Sequence, residues 1–405
     1  MVASKAVEWL RELVRIPSVN PGGARRLDPE IHGEKKLTDW LEAWANSQGI
    51  RFHRQPVVSG RDNLIMEVQG RGSNHRTQLW EVHQDTVDVT GMTVDPFGAQ
   101  ILEGRLYGRG ACDVKGSMAA MLAALAEVQQ YSGPFSDRII LACTVDEEHT
   151  FLGVQALRGN IPGSIQIGPA ITCHPDFAIV AEPSSLAIIE SHKGVIRWNI
   201  QVLGTACHSS TPDLGSNAIY AASEIANVIE RLHVELRAAS SNPMEAGSIC
   251  LTQIAGGTAP NIVPQDCVLL VDRRIGFSET PEMADQQLRK LLDSLAFPSG
   301  IQCRLSNPII RCPALKPKGN NAARSNLAAA IHKKTGRCEF DSVAFGTDAS
   351  TIAEHGIPSV VFGPGNIAQA HTRDEWIDLA EVETASQILF LLATQNPANG
   401  LETTA

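Results

Sequence analysis

Hydrophobic runs long enough to cross a bilayer are missing from this chain. Stretches such as ILFLLA at 388–393 fall far short of the roughly 20 apolar residues that a membrane helix needs, and no membrane partner is expected. Charge is sparse, at 19% of residues, and its balance is acidic at −10. Without a basic face, nucleic acid and anionic membrane surfaces are poor partners. The nine cysteines are scattered and include no CxxC pair, which fits reduced thiols and a cytoplasmic location. The N-terminal MVASKAVEWLRELVRIPSVNPG lacks an apolar core followed by a cleavage site, so no targeting signal is expected. No GxSxG occurs, which disfavours a serine hydrolase. GRGACDVKG has neither GxGxxG nor GxxxxGK[ST], which disfavours a nucleotide loop. Internal repeats and low-complexity tracts are also absent, and the terminal NPANGLETTA reads as a frayed tail.

What is present is a soluble globular composition, 43% hydrophobic over 405 residues, too long for one ordinary core and therefore expected to form two domains. Up to about residue 188, helical patterns (4–15, 34–49, 116–130) alternate with short apolar runs (63–68, 77–83, 138–145). That rhythm predicts an α/β layer with a mainly parallel sheet flanked by helices. A different order follows: strand 196–204, helix 215–237, strands 248–255 and 267–275, helix 280–295 and strand 301–306. This β-α-β-β-α-β sequence predicts a ferredoxin-like α+β sandwich. The first rhythm then resumes with helix 321–334, strand 358–363 and helix 380–395. The expected organisation is one domain of 1–188 and 309–405, interrupted by an inserted domain of 189–308.

Chemistry-bearing residues gather where strands are expected to end, which is where open α/β sheets bind ligands. LWEVHQDTVDV places His83 and Asp85 two residues apart at the end of an apolar run. Alternating side chains would put them on one face. LYGRGACDVKG brings Asp113 before a helix, TVDEEHTFLG offers Asp146, Glu147 and Glu148, AIVAEPSS ends on Glu182, and GPGNIAQAHTRDEW carries His371. Each has a plain alternative, such as a helix N-cap for Asp113 or a solvated loop for the acid pair. A second His-x-Asp pair, His174 and Asp176, reads as a loop feature. Taken together, adjacent acids in a cleft repel unless a cation offsets them. Three carboxylates (Asp113, Glu148, Glu182), two neutral imidazoles (His83, His371) and one hydroxide balance about two divalent ions, by the protonation rules for metal ligands. With Asp113 shared, each ion would receive a roughly tetrahedral set suited to zinc.

These ordered motifs, from LVRIPSVNP through HQD, GRGACDVKG, DEE and AEP to GPGNIAQAH and HTRDEW, resemble the M20 family of co-catalytic metallohydrolases over nearly the whole chain. The resemblance implies that His83, Asp113 and Glu182 hold one metal and Asp113, Glu148 and His371 the other. It makes Glu147 the general base and Asp85 the residue that orients His83. The metals would be Zn2+, with Co2+ and Mn2+ as alternatives. In the insert, GTACHSSTPDLGSNAI resembles the segment whose histidine, here His208, reaches across a homodimer to the tetrahedral intermediate. GGTAPNIVP and VDRR resemble lid elements that bind a substrate carboxylate, pointing to Asn261 and Arg274. The insert is thus expected to be a lid and dimerisation domain. FGPGNIAQAH and FGTDAS look most like the acetylornithine deacetylase branch, which implies deacylation of an N-acyl amino acid, with dipeptidase or carboxypeptidase activity as the alternative. Where that branch often carries glutamate this chain has Asp348, so Thr347 and Asp348 are candidates for recognising a cationic substrate tail.

Overall fold

The computed structural model describes residues 4–22, 27–71, 76–169 and 171–395. The C-terminal NPANGLETTA lies outside them. Two compact units emerge: residues 1–191, 316–341 and 347–405 form the larger, and 192–315 with 342–346 the smaller. No helix among the described residues is long and apolar enough to cross a membrane.

The larger unit is built on an eight-stranded sheet. Its strands lie in the order Arg51–Val58, Arg61–Val68, Arg138–Thr144, Thr77–His83, Phe177–Val180, Ser359–Val361, Ile188–His192 and Phe340–Val343. The centre is parallel: Thr77–His83 pairs in parallel with both Arg138–Thr144 and Phe177–Val180, and Phe177–Val180 with Ser359–Val361. The pairings of Arg51–Val58 with Arg61–Val68, of Arg61–Val68 with Arg138–Thr144, and of Ile188–His192 with Ser359–Val361 are antiparallel. Central strands are near-continuous apolar runs because both of their faces are covered. Leu64, Met66, Trp80, Val82, Ile139, Leu141, Phe177 and Ile179 alternate along their strands into one core with the helices Lys5–Arg15, Lys35–Ser47, Gly116–Gln130, Asn321–Thr335 and Leu379–Thr394. Gly116–Gln130 is buried on most of its faces, so its alanines and leucines are packing residues rather than a stripe. Arg51–Val58 was not expected from the sequence. It is half-exposed and carries Pro56, so the apolar alternation that marks a strand is missing, and its place at the sheet edge accommodates the proline.

In the smaller unit the strands follow the order Ser248–Gly256, Asp266–Ile275, Gly194–Leu203, Gln302–Leu305, and every pairing is antiparallel. With the helices Ala218–Ala238 and Pro281–Asp293 this is the ferredoxin-like arrangement. Strand Asp266–Ile275 alternates buried and half-buried residues along its length, as a sheet with one covered face requires. The unit runs past 308, to Leu315, because Ile310–Cys312 pairs with Gly194–Leu203. That strand is only three residues long, too short to leave a pattern in the sequence.

Candidate metal centre

Parallel strands bring their carboxyl ends to one edge, and the four central strands release the site residues there. His83 is the last residue of its strand and pairs with Thr144. The DEE segment follows Thr144, Glu182 lies two residues beyond Val180, and the loop after Val361 leads to His371. Two local features let these segments meet. Gly110 has φ +80°, and a Cβ there would lie 2.7 Å from Thr86 Cγ2, so the turn before Asp113 is reserved for glycine. A Cβ on Gly363 would lie 2.6 Å from the Glu182 carbonyl oxygen. Asp146 and His371 also take left-handed backbones, at φ 69° and 60°, a conformation costly for side chains other than glycine and concentrated at functional sites.

Asp113 sits between the two histidines. Its Oδ1 lies 3.1 Å from His83 Nε2 and its Oδ2 3.2 Å from His371 Nε2. Glu182 Oε1 approaches His83 Nε2 at 3.9 Å, and Glu148 Oε2 approaches His371 Nε2 at 3.4 Å. Ligand-type atoms of His83, Glu147 and Glu182 fall within 4.8 Å of one another, and those of Asp113, Glu148 and His371 do the same. His83, Asp113, Glu147 and Glu182 are buried, whereas the His371 side chain is 53% exposed.

Asp85 lies beyond the end of its strand, and its neighbours differ from those suggested by simple alternation. His83 Nδ1 is 3.0 Å from the Asp85 backbone carbonyl and 3.6 Å from the carboxylate. The carboxylate instead accepts the backbone N–H groups of Glu147 (3.1 Å) and Glu148 (3.0 Å) and the Asn20 side-chain amide (2.6 Å). Asp85 therefore holds both acids of the DEE segment by their main chain while its carbonyl fixes the His83 ring.

The electrostatics are those of a crowded anionic cage. Burial, reinforced by neighbouring carboxylates, pushes Glu147, Glu182 and Glu148 above the usual range. His371 is raised to about 11 by hydrogen bonds to Asp113 and Glu148, against the opposing effect of burial. Burial lowers His83, but Asp113 and Asp85 outweigh it and the net shift is upward. Protons stand in where positive charge is needed. One more feature points the same way: Glu148 Oε1 is buried with no hydrogen-bond partner. Oxygen and imidazole donors around a shared carboxylate, with an orphaned carboxylate oxygen among them, fit divalent cations.

The remaining candidates lie elsewhere. In the smaller unit, His208 forms an isolated bridge with Ile262, and Ser209 N–H donates to the Asn261 carbonyl at 3.0 Å, so His208 and Asn261 share one exposed loop pairing. His208 Nδ1 lies 2.8 Å from Ser210 Oγ and 3.2 Å from the Ser210 backbone nitrogen. Arg274 is on the open face of its strand, donating to Asp272 at 2.9 Å, whereas Arg273 is fully buried and paired with Glu279. Thr347 and Asp348 belong to the larger unit and are buried. The Thr347 hydroxyl caps the helix Asp348–Glu354 by accepting Ala349 N–H at 3.2 Å. Asp348 Oδ2 is 3.5 Å from Thr144 Oγ1, and burial together with Glu81 pushes its pKa well up. Asp176, of the second His-x-Asp pair, accepts the Thr77 backbone N–H at 2.7 Å, at the start of the strand that His83 ends.

Sequence reasoning missed the supports of this centre. Glu34 binds Arg61 through two bonds of 2.5 and 2.6 Å, and Arg61 reaches Asp146 at 2.9 Å. Glu375, fully buried, accepts the backbone N–H groups of Gly110, Cys112 and Asp113. Nothing local distinguishes these charges from surface ones, although Arg109 between two glycines and the acid at the end of HTRDE were visible as charges inside matched motifs.

The model for peptidase family M20/M25/M40 matches residues 79–395. An acetylornithine deacetylase of Proteus mirabilis is 30% identical over 392 residues, covering 95% of this chain and 94% of that protein. A succinyl-diaminopimelate desuccinylase of Rhodospirillum centenum is 29% identical over 402 residues, with 94% of each covered. A dinuclear metal-binding peptidase of the M20 family from Bacillus subtilis superposes with a TM-score of 0.64 at 16% identity, over 96% of each chain.

Proposed function

From the premise that this chain belongs to peptidase family M20/M25/M40, and so is a hydrolase of amide or peptide bonds, we propose that it deacylates an N-acyl amino acid at a pair of divalent cations. The carrying observation is Asp113, whose two oxygens each face one histidine. His83, Asp113 and Glu182 would hold one cation, and Asp113, Glu148 and His371 the other. Zinc suits this set of nitrogen and oxygen donors. Such ions polarise a scissile carbonyl and acidify water.

The chain's own residues divide the remaining work. Glu147, buried beside His83 and Glu182, takes a proton from the attacking water and returns it to the leaving amine. Asp85 keeps Glu147 in place through the backbone. His208, reaching across the homodimer, would steady the oxyanion. Arg274 and Asn261 bind the substrate carboxylate, where a guanidinium offers a two-pronged grip. The buried settings of Thr347 and Asp348 support a role beneath the site, as helix cap and neighbour of Glu81, rather than contact with a substrate tail.

Acetyl and succinyl relatives of nearly equal identity support the reaction type over a particular acyl group. The smaller unit is read as the lid and as the contact surface of a homodimer. Its edge strand Ser248–Gly256 and helix Ala218–Ala238 expose Ile254 (52%), Tyr220 (76%) and Val234 (62%), and uncovered apolar surface of this kind marks an interface. Nine free cysteines support a reducing, cytoplasmic setting.

The test is a panel of N-acetyl and N-succinyl amino acids, N-acetyl-ornithine and N-acetyl-methionine among them, beside dipeptides, with the Zn2+-loaded protein. Deacylation that chelator abolishes is expected. Cleavage of dipeptides alone would replace this reading with a dipeptidase or carboxypeptidase, and Co2+ or Mn2+ restoring more activity than Zn2+ would revise the metal.

A further inference from the structure

The loop carrying Asp113 and the loop carrying His371 are more than 250 residues apart in the chain, yet one buried ion pair joins them. Glu375 Oε1 accepts the backbone N–H groups of Cys112 (2.9 Å) and Asp113 (3.0 Å). Its Oε2 accepts Gly110 N–H (3.0 Å) and Arg109 Nη1 (2.6 Å). Arg109 in turn donates from Nε to the Asp88 carbonyl (3.1 Å) and from Nη2 to the Thr372 carbonyl (3.4 Å). Both side chains are nearly inaccessible to solvent, 3% for Arg109 and 0% for Glu375. A short three-stranded sheet sets the register, since Trp376 pairs with Tyr107 and Gly108 N–H donates to the Glu375 carbonyl at 3.0 Å.

We propose that the Arg109–Glu375 pair is the positioning element of the centre, fixing the Asp113 and His371 segments relative to each other so that the cation site they share is already formed. This rests on the di-cation reading above. A surface ion pair would contribute little, but here one carboxylate accepts four bonds, three of them from main chain bordering the shared ligand. Glu375 touches neither substrate nor ion and acts through Asp113. The pair also reaches the segment after Asp85 through the Asp88 carbonyl, so three ligand-bearing stretches converge on two side chains. Outer partners that orient metal ligands typically govern affinity by 10- to 100-fold.

The test is calorimetric titration of the chelator-treated full-length protein with Zn2+, at a temperature below its melting point. The wild type is expected to take up about two Zn2+ per chain, with one event lost in His371→Ala. In Glu375→Gln the amide keeps one oxygen but turns its NH2 toward two donors, and the event lost in His371→Ala should weaken by about 10- to 100-fold. Glu375→Asp, which keeps the charge, should recover part of the loss, a rescue that a merely structural role would not give. A folded Glu375→Gln protein, judged by circular dichroism, that binds both Zn2+ with wild-type affinity overturns the proposal. If that variant does not fold, Arg109→Lys takes its place: weakened binding in the same event supports the pair, and unchanged binding overturns it. A wild type that takes up no Zn2+ overturns instead the di-cation reading beneath it.

Discussion

The larger unit buries Glu34, Glu81, Asp85, Asp113, Asp137, Asp146, Glu147, Glu182, Asp348 and Glu375, with His83, Arg109 and Lys115 as its buried bases. The core of the smaller unit is led by Ile196, Trp198, Ile200, Leu269, Val271 and Leu288; beside the buried bases His192, Lys193 and Arg273 there is no acid among its buried described residues. The second is built mainly on hydrophobic burial. The first confines like charges in a low-dielectric interior, an arrangement that is unfavourable unless protons or cations offset it. Function and stability are therefore coupled in the larger unit and separate in the smaller, and that contrast can be probed from both sides.

The sharpest break should come at Glu147. Glu147→Gln removes the base while keeping shape, and kcat is expected to fall by about 10²- to 10⁴-fold. Zn2+ stoichiometry should stay unchanged in calorimetry, and a parallel loss of metal would make Glu147 a ligand instead. On the other side, Trp198 is completely buried, and Trp198→Ala should cost about 3–5 kcal/mol in denaturant titrations. That loss should leave Zn2+ affinity untouched. Zn2+ itself should act in the opposite sense: free metal at 100 times its Kd stabilises the unit that binds it by about 2.7 kcal/mol. Calorimetric scans with and without chelator should move the transition of the larger unit and not the one reported by Trp198.

The smallest effect concerns protons at His192, which ends the strand Ile188–His192 and is the first residue of the smaller unit. Burial lowers His192 to about 4, so the folded state favours the neutral ring relative to the ordinary value near 6.5. The stability this gives is complete above pH 6.5 and is lost as pH falls toward 4. Between pH 7.5 and 5.5 the loss should be on the order of 1 kcal/mol. His192→Gln should flatten that slope in urea titrations, and an unchanged slope would assign it to other groups.

The same contrast explains what could be read from the sequence. Strand ends announce themselves, because apolar runs such as IILAC stop abruptly at charges, and His83, the DEE segment and Glu182 were legible for that reason. The smaller unit was legible through the alternation of CVLLVDRRI, although Ile310–Cys312 was too short to reveal that it belongs there. Arg51–Val58 escaped because it is polar and sits at an edge. Glu375, Arg109, Glu34 and Arg61 were not legible as supports, since their burial follows from contacts with residues far away in the chain and not from their neighbours. Asp85 shows a further limit. It does neighbour His83, with its carbonyl at 3.0 Å and its carboxylate at 3.6 Å from Nδ1, but strand alternation gives no sign that the carboxylate also accepts the backbone N–H groups of Glu147 and Glu148.

The most direct measurement of the central claim is anomalous diffraction from crystals of the Zn2+-loaded protein, recorded on both sides of the zinc edge. Two peaks roughly 3.5–4 Å apart are expected, one beside His83 and Glu182, the other beside Glu148 and His371, with the Asp113 carboxylate between them. A single peak, or zinc bound away from Asp113, would contradict the account.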